Sequence, residues 1–339
     1  MYRSRAPRRP TAPRVRALPR TAAVAGALLV ALTAAACGGG SGSGSGDGKS
    51  GGKDTVNVGA IPIVDTAPAY LAEKRGFFGK HGIKAEITPV QGGAASVSGV
   101  MGGQFDFAFG NTTSLLTGRD QGLPLKAVAS GVASTGEPGN DYSAVLVGED
   151  SGISSAEDLA GKTIAVNQLK NIGDTTVKET VREHGGDPSG IEFTEMPFPD
   201  MPAALDKGRV DAIWVVEPFV TQARDQGAKP VAWNFAEATD DDLTVAMYFT
   251  TEKLLKEKPD LAERFTAAIE EANAYAAEHP DAVREVLRGY AEIPAPVAEK
   301  MVLPKWPADI NTGSVREIGE LAREDGVLKK EADVDALLP

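Results

Sequence analysis

The chain has 339 residues, 42% of them hydrophobic, and a formal net charge of −12 at neutral pH. Seven arginines and no acidic residues precede Cys37, so the remainder holds 28 basic residues against 47 acidic ones, which excludes nucleic-acid binding by charge repulsion. A single cysteine excludes an internal disulfide. The three histidines show no metal-ligand spacing, so we expect no metal site and no cofactor.

Residues 1–37 have the order of an export signal. An arginine-rich start precedes the apolar run 22–32, and small residues lead to Cys37. The apolar run is shorter than the roughly 20 residues that span a bilayer. The segment resembles a lipobox, although Ala34 stands where leucine is usual, so we expect a lipoprotein signal peptide with lipid attachment at Cys37. The alternative is an ordinary signal peptide cleaved nearby, which would leave a free thiol.

The Gly/Ser-rich stretch 38–53 has the composition of a flexible tether. Beyond it, short apolar runs alternate with helical patterns, which predicts an α/β architecture. The predicted strands are 55–61, 85–90, 105–109, 125–129, 163–166 and 212–216. The chain after the last of these strands is expected to be mainly helical. One helix there should bury the face formed by Leu261, Phe265, Ile269, Ala272 and Ala276.

The sequence also contains capping residues that predict where three helices begin and end. Asp65 or Thr66 is placed to cap a helix that should end at Gly76. Capping-box spacing joins Ser154 to Glu157 before a short helix that Gly161 closes. The same spacing joins Ser314 to Glu317, with Gly326 beyond the end of that helix.

Several motifs in order resemble one known family. They are APAYLAEKRGFF at 67–78, GQFDFAFG at 103–110, QGLPLK at 121–126, DLAGKT at 158–163 and VDAIW at 210–214. Together they resemble the substrate-binding proteins of ABC importers for sulfonates, nitrate, taurine and thiamine pyrimidines. The likeness extends over nearly all of the chain after the tether.

The resemblance implies a two-lobed α/β fold of the type II periplasmic-binding class, with crossing hinge strands. Lobe 1 would comprise residues 54–142, lobe 2 residues 143–240, and residues 241–339 would be a mostly helical return to lobe 1. The implied protein is extracytoplasmic and monomeric, anchored to the membrane through the lipid on Cys37. Its partners would be a small-molecule solute, an ABC permease and the permease's ATPase.

Ligands of open α/β sheets bind beyond the carboxyl ends of the strands. Five loops occupy such positions, namely 62–66, 91–96, 110–114, 167–175 and 217–219. Each loop also has a structural alternative, which is helix capping, a polar surface or, for Glu217, a structural hydrogen bond. The candidate ligand-binding residues are Asp65, Thr66, Gly92, Gly93, Ala94, Asn111, Thr112, Asn167, Asn171, Gly173, Asp174 and Glu217. We expect Glu217→Ala to weaken binding without unfolding the protein.

The charged side chains of the loops bear on the identity of the ligand. Asp65 and Glu217, if both point inward, would disfavour a simple anion such as nitrate and favour a ligand with hydrogen-bond donors. We rank a sulfonate or aminosulfonate such as taurine first and a pyrimidine-type vitamin precursor second. Phe109, Trp214 and Phe219 could form a stacking wall, although aromatic residues near strands are more often core.

Two other function classes compete with transport. An enzyme on the same fold would use histidine or cysteine near the site, whereas the five loops contain neither, and the chain has no Gly-x-Ser-x-Gly motif. We therefore expect no catalysis and no catalytic residues. A sensor that presents its ligand to a membrane receptor has the same sequence requirements as a transport protein.

Overall fold

A computed structural model of the chain describes residues 53–239 and 242–339. The predicted signal peptide, Cys37 and all but the last residue of the predicted tether lie outside these ranges. The strands are β1 (Asp54–Ala60), β2 (Ile83–Pro89), β3 (Phe107–Asn111), β4 (Leu125–Ala133), β5 (Ser143–Val147), β6 (Thr163–Val166), β7 (Glu192–Glu195), β8 (Ala212–Val216), β9 (Lys229–Ala232) and β10 (Thr244–Thr251).

The α-helices alternate with these strands up to β10 and then dominate the chain. They are α1 (Ala67–Lys74), α2 (Phe77–Lys80), α3 (Gly93–Met101), α4 (Thr112–Asp120), α5 (Ile172–Glu183), α6 (Met201–Asp206), α7 (Phe219–Asp225), α8 (Asn234–Glu237), α9 (Glu252–Glu257), α10 (Pro259–Glu278), α11 (Pro280–Tyr290), α12 (Ala295–Lys300), α13 (Thr312–Glu324) and α14 (Val334–Leu337). In the described part of the chain, no helix is both long and apolar enough to cross a membrane.

The strands form two five-stranded mixed sheets. The first has the order β2-β1-β3-β10-β4, with β1 parallel to β2 and β3 and with β10 antiparallel to its neighbours. The second has the order β7-β6-β8-β5-β9, with β6 parallel to β7 and β8 and with β5 antiparallel to its neighbours. Each sheet with its packed helices is called a lobe below. The predicted two-lobed α/β architecture is confirmed, while the lobe limits at residues 142 and 240 stay predictions.

The chain passes between the sheets twice, from β4 to β5 and from β9 to β10. The first crossing is irregular and is fixed by Asp141, which is fully buried and accepts hydrogen bonds from Ser134 Oγ at 2.9 Å and Thr135 N at 3.0 Å. Burial raises the pKa of the Asp141 carboxyl. The two crossings touch where Ser134 N donates to the carbonyl of Leu243 at 3.0 Å. The hinge is thus a pair of adjacent, hydrogen-bonded segments.

The helical return packs on the first sheet through the predicted apolar face of α10. Leu261, Phe265, Ile269, Ala272 and Ala276 are all buried, as predicted. The Phe265 ring stacks on a β3 side chain, Phe107, with centroids 3.9 Å apart and an interplanar angle of 4°. The return segment therefore completes the core of the first lobe, as burial of its apolar stripe requires.

All six predicted strands are confirmed. The bounds of β6 and β8 are as predicted, and the ends of β1, β2, β3 and β4 are shifted by a few residues. The chain after β8 is mainly helical, as predicted, but strands β5, β7, β9 and β10 were missed. The last of these, β10, lies inside the first sheet and still escapes recognition from the sequence. The reason is that Thr244–Thr250 is continuously buried. A strand buried on both faces loses the alternation of polar and apolar residues by which strands are recognised.

The cap predictions had mixed outcomes. Gly76 and Gly326 adopt left-handed backbone just after α1 and α13, with φ of 81° and 70°, as predicted. Thr66 is the N-cap residue of α1, as one of the two candidates, but its side chain makes no capping hydrogen bond. Its hydroxyl instead donates to the carbonyl of Ile61 at 2.6 Å.

Both predicted capping boxes were wrong. At the first, Glu157–Leu159 forms a single 3-10 turn, and it is Asp158 that accepts hydrogen bonds from the backbone N–H groups of Ser154 and Ser155. At the second, α13 begins earlier than predicted, because Asn311 is its N-cap and accepts from Ser314 N at 3.2 Å.

Candidate functional site

The loops after β3 and β6, predicted to contribute to one site, meet across the two lobes. Asn111 Nδ2 donates to Asn171 Oδ1 at 2.7 Å, and Asn171 Nδ2 donates to Ser114 Oγ at 2.8 Å. Asn111 is 8%, Ser114 5% and Asn171 1% exposed. These three residues, called the cross-lobe cluster below, directly join the first sheet's half of the molecule to the second's.

Three helices begin at this cluster. Asn111 is the N-cap of α4, where its Oδ1 accepts from Ser114 N at 2.9 Å, and Asn171 precedes the first residue of α5. Helix α3 begins at Gly93, where a Cβ would lie 2.1 Å from Ser114 Oγ, so only glycine permits the approach of α3 to α4. First-turn N–H groups lack partners within their own helix and carry the positive end of its dipole. The arrangement suits an anionic group held from both lobes.

Each of these three helices also carries, in its first turn, a buried hydroxyl that has no hydrogen-bond partner among the described residues. The hydroxyls belong to Ser96 in α3, Thr113 in α4 and Thr175 in α5, and all three residues are fully buried. Buried polar groups are normally hydrogen-bonded. Three such groups in the first turns of the converging helices leave hydroxyls free to pair with a polar partner.

Asp174 adds a carboxyl in the first turn of α5. Its Oδ2 accepts from Lys170 N at 2.8 Å, whereas its Oδ1 has no partner in the part of the chain that the structure describes. Burial raises the pKa of Asp174 to about 6, and the backbone hydrogen bond from Lys170 opposes the rise. The group is therefore close to neutral in mildly acidic solution, which lowers its repulsion of an anion.

The loop after β2 approaches the second lobe alongside the cluster. Ala94 N donates to Gln168 Oε1 at 3.0 Å, and Gly92 lies beside the side chains of Gln168 and Asn167. The structure thus places the loop of Gly92 and Ala94 beside Asn167 and Gln168, while the ligand roles of the three candidates stay predictions. Gln168 is the actual cross-lobe partner, although it was not among the candidate residues.

Gly173 has a packing role that the sequence did not reveal. A Cβ there would lie 2.4 Å from Trp214 Cε3, so the indole ring occupies the space of a side chain. Trp214 is 2% exposed, and its Nε1 donates to Ser143 Oγ at 3.0 Å. Phe109 is 1% exposed and packs edge-on against Tyr248. Both aromatic residues are core, as the structural alternative held.

Asp65 lies in a buried polar junction below the cleft. It is 2% exposed, its Oδ2 is 3.4 Å from the donating Tyr142 OH, and its Oδ1 has no partner among the described residues. Its backbone carbonyl accepts from Trp306 Nε1 at 3.2 Å. Burial raises the pKa of Asp65 to about 7. Tyr248 OH, also buried, has no described partner either.

Two threonines predicted to contact ligand donate their hydroxyl hydrogen bonds to backbone carbonyls of the chain itself. Thr66 Oγ1 donates to the Ile61 carbonyl, and Thr112 Oγ1 donates to the Thr244 carbonyl at 2.6 Å. Both residues are fully buried. Their ligand roles stay predictions, and their visible contacts fix the loops after β1 and β3.

Glu217 connects several segments. Its Oε1 accepts from Thr221 Oγ1 at 2.7 Å and from Val302 N at 3.4 Å, while its Oε2 accepts from Thr221 N at 3.0 Å. Its carbonyl accepts from Val64 N at 3.2 Å. Burial raises the pKa of this carboxyl to about 7, against the hydrogen bonds from Thr221. These contacts match the structural alternative, and its ligand role stays a prediction.

Two cavities lie where the two lobes meet. One, of about 230 Å³, is lined from both lobes, with Ser114, Gln168 and Asn171 among its residues. The other, of about 200 Å³, lies between the loop after β1 and the segment that contains Phe198, and Phe219 also lines it. A larger cavity of about 460 Å³ lies on the second lobe near Gly148 and Asp211, away from the cleft.

Phe198 and Ser114 were missed as site residues, for different reasons. Ser114 stood within a loop already singled out, at the third position of α4, and capping logic alone could have found it. Phe198 precedes α6 and reaches the cleft only through tertiary packing, so the sequence held no signal for it. In the described ranges, no group of three or more His, Cys, Asp or Glu residues could hold a metal ion.

The family model described as “NMT1/THI5 like” matches residues 63–283. Among curated proteins, the chain is 24% identical over 241 residues to the “Putative aliphatic sulfonates-binding protein” of Bacillus subtilis (strain 168), a match that covers 70% of each chain. It is 28% identical over 204 residues to the “Bicarbonate transport ATP-binding protein CmpC” of Synechocystis sp., covering 56% of this chain and 29% of that protein.

Solved structures show the same fold. The periplasmic aliphatic sulphonate binding protein SsuA from Escherichia coli matches with a TM-score of 0.67 at 19% identity, covering 84% of this chain and 91% of that one. The periplasmic nitrate-binding protein NrtA from Synechocystis PCC 6803 matches with a TM-score of 0.70 at 15% identity, covering 84% and 86%. These matches confirm the predicted periplasmic-binding fold.

Proposed function

Since the chain belongs to the NMT1/THI5-like family of periplasmic-type binding proteins, we propose that it captures a small organic solute with a sulfonate-type head group and delivers it to an ABC permease. The observation that carries the proposal is the meeting of three helix starts, from both lobes, at the cross-lobe cluster of Asn111, Ser114 and Asn171. A tetrahedral oxyanion has enough acceptor atoms for N–H groups and hydroxyls that approach it from several directions.

Binding would proceed by closure of the two lobes over the solute. Contacts that only the closed form makes shift the population toward it, and the permease and its ATPase would act on that form. The hydrogen bonds of Asn171 to the first lobe are contacts of this kind. The relatives named for aliphatic sulfonates support the choice of head group.

We propose binding without catalysis. The three histidines lie outside the cleft loops, where His81 pairs with Glu271 at 3.0 Å, His184 pairs with Glu237 at 3.4 Å, and His279 stacks on Tyr275. The buried carboxyls of Asp65 and Glu217 contact residues of the chain itself. This distribution supports a site that holds and releases its solute unchanged.

We also propose that the protein is a monomer, anchored outside the cytoplasm through a lipid on Cys37. Two or more acyl chains on one residue would anchor it stably, whereas a single chain binds a membrane only marginally. Metabolic labelling with an alkyne-tagged palmitate tests the anchor. The native chain should incorporate the label and Cys37→Ser should not. Equal labelling of both would refute lipid attachment at this residue.

A thermal-shift screen of the full chain tests the head group. The panel contains methanesulfonate, benzenesulfonate, taurine, nitrate, an aminopyrimidine and spermidine. A ligand at a hundredfold excess over its Kd stabilises the native state by about 2.7 kcal/mol, which raises Tm by roughly 5 °C or more for a domain of this size. We expect a shift with at least one organosulfonate. A shift only with the aminopyrimidine or spermidine, or no shift at all, would overturn the sulfonate assignment.

A further inference from the structure

The cavity of about 200 Å³ between the lobes has an almost entirely apolar lining. The first lobe contributes Ile61, Ile63 and Val90, and the second contributes Phe198 and Phe219, which stack with centroids 5.9 Å apart at 15°. Gln91 is the only lining residue with a polar side chain. Both lobes form its walls, so lobe closure completes the cavity.

Prolines make up four of its ten lining residues, namely Pro62, Pro89, Pro197 and Pro199. Proline has no backbone N–H and restricts the backbone around it. The walls are therefore short of hydrogen-bond donors as well as of polar side chains. An amine, a hydroxyl or a second anionic group placed here would lose hydrogen bonds to water without replacement.

The volume sets the size of the group that fits. A cavity of about 150 Å³ lined by apolar side chains binds benzene. At about 200 Å³, this cavity holds one benzene-sized ring or a compact branched alkyl group. An inorganic anion would leave it empty, and taurine would place its ammonium group against it.

The cavity adjoins the start of α3. Gln91 lines it, and two residues later Gly93 begins α3 against Ser114 of the cross-lobe cluster. The same short loop thus runs from the apolar cavity to the converging helix starts. An anionic head at those helix starts would direct the rest of the solute along this loop.

We propose that the solute is an organic anion with a compact, benzene-sized apolar body, and that the cavity bounded by Phe198, Phe219 and the four prolines selects for that body. The inference rests on the proposed function, because it assigns the head group to the helix starts. It narrows the solute to arene or branched-alkyl sulfonates and excludes taurine, which the sequence had ranked among the first.

Calorimetric titration of the full chain with benzenesulfonate, methanesulfonate and taurine tests the proposal. Burying a phenyl group in place of a methyl should tighten binding roughly 10- to 100-fold. We expect benzenesulfonate to bind at least tenfold more tightly than methanesulfonate, and taurine to bind no better than methanesulfonate. Equal affinities, or tighter binding of taurine, would overturn the proposal and leave sulfonate binding standing.

The variant Val90→Phe fills the cavity from a half-buried position just after β2. The variant should lose most of the affinity difference between benzenesulfonate and methanesulfonate. Its affinity for methanesulfonate should stay within about threefold of the native value, which also shows that the variant is folded. Retained tight binding of benzenesulfonate by this variant would place the ring elsewhere and overturn the proposal. If no sulfonate bound the native chain, the proposed function itself would fail.

Discussion

Replacing Asn171 with alanine should weaken solute binding without unfolding either lobe. The side chain makes two hydrogen bonds to the first lobe and none that caps its own helix, so α5 keeps its backbone interactions. A net contribution of roughly 0.5–1.5 kcal/mol for each hydrogen bond gives about 1–3 kcal/mol for the closed form. If the solute is held by the closed form alone, its affinity should fall by about 5- to 150-fold.

Calorimetry with benzenesulfonate measures that loss, and Asn57→Ala is the matched control because Asn57 is exposed on β1. Small-angle scattering of the same samples should show the ligand-bound Asn171→Ala protein reaching the compact form only at higher ligand concentration. If both variants bound the ligand as the native chain does, the cross-lobe cluster would have no part in closure, and the proposed role of its hydrogen bonds would be refuted.

Three further substitutions test other buried residues of the candidate site. Asp65→Asn should raise Tm at pH 8 and leave it unchanged at pH 4. The folded pKa of Asp65 is raised to about 7, so this carboxyl destabilises the native protein by up to a few kcal/mol as pH rises from about 4 to 7. A lower Tm of the variant at pH 8 would contradict this. Gly93→Ala should reduce stability to urea by about 1–3 kcal/mol, since its Cβ would meet Ser114, and an unchanged unfolding midpoint would argue against that contact. Glu217→Ala should stay folded at reduced stability, because Thr221 and Val302 N lose their buried acceptor, and it should bind the solute more weakly. Unchanged calorimetric affinity would reject the ligand role of Glu217.

Much of the fold was readable from the sequence because its elements carry local signals. Six strands and the apolar face of α10 follow from short apolar runs and helical spacing. The strand β10 was not predictable in this way. Its residues Thr244–Thr250 are buried without alternation, and its place inside the first sheet is set by pairing with β3 and β4, which come much earlier in the chain.

The candidate site was predictable in its loops and less so in its contacts. The carboxyl ends of β3 and β6 do meet, through Asn111 and Asn171, as the topology of an α/β sheet implies. The sequence did not indicate that the Glu217 carboxyl would accept hydrogen bonds from Thr221, four residues later, and from Val302, which is distant in the chain. Both partners depend on how α7 and the return segment pack.

The apolar cavity shows the same limit more clearly. Phe198 and Phe219 are 21 positions apart in sequence and meet Ile61 and Ile63 only when the two lobes come together. No hydrophobic period or sequence motif predicts this apolar lining, because each of its residues has the local sequence pattern of an ordinary core residue.

The most direct test of the central claim is a crystal structure of the full chain with benzenesulfonate. The account predicts the sulfonate oxygens within hydrogen-bond distance of first-turn groups of α3, α4 and α5, with the ring between Val90 and Phe198. Benzenesulfonate bound instead in the larger cavity near Gly148 and Asp211, or a cleft without it at saturating concentration, would contradict the account.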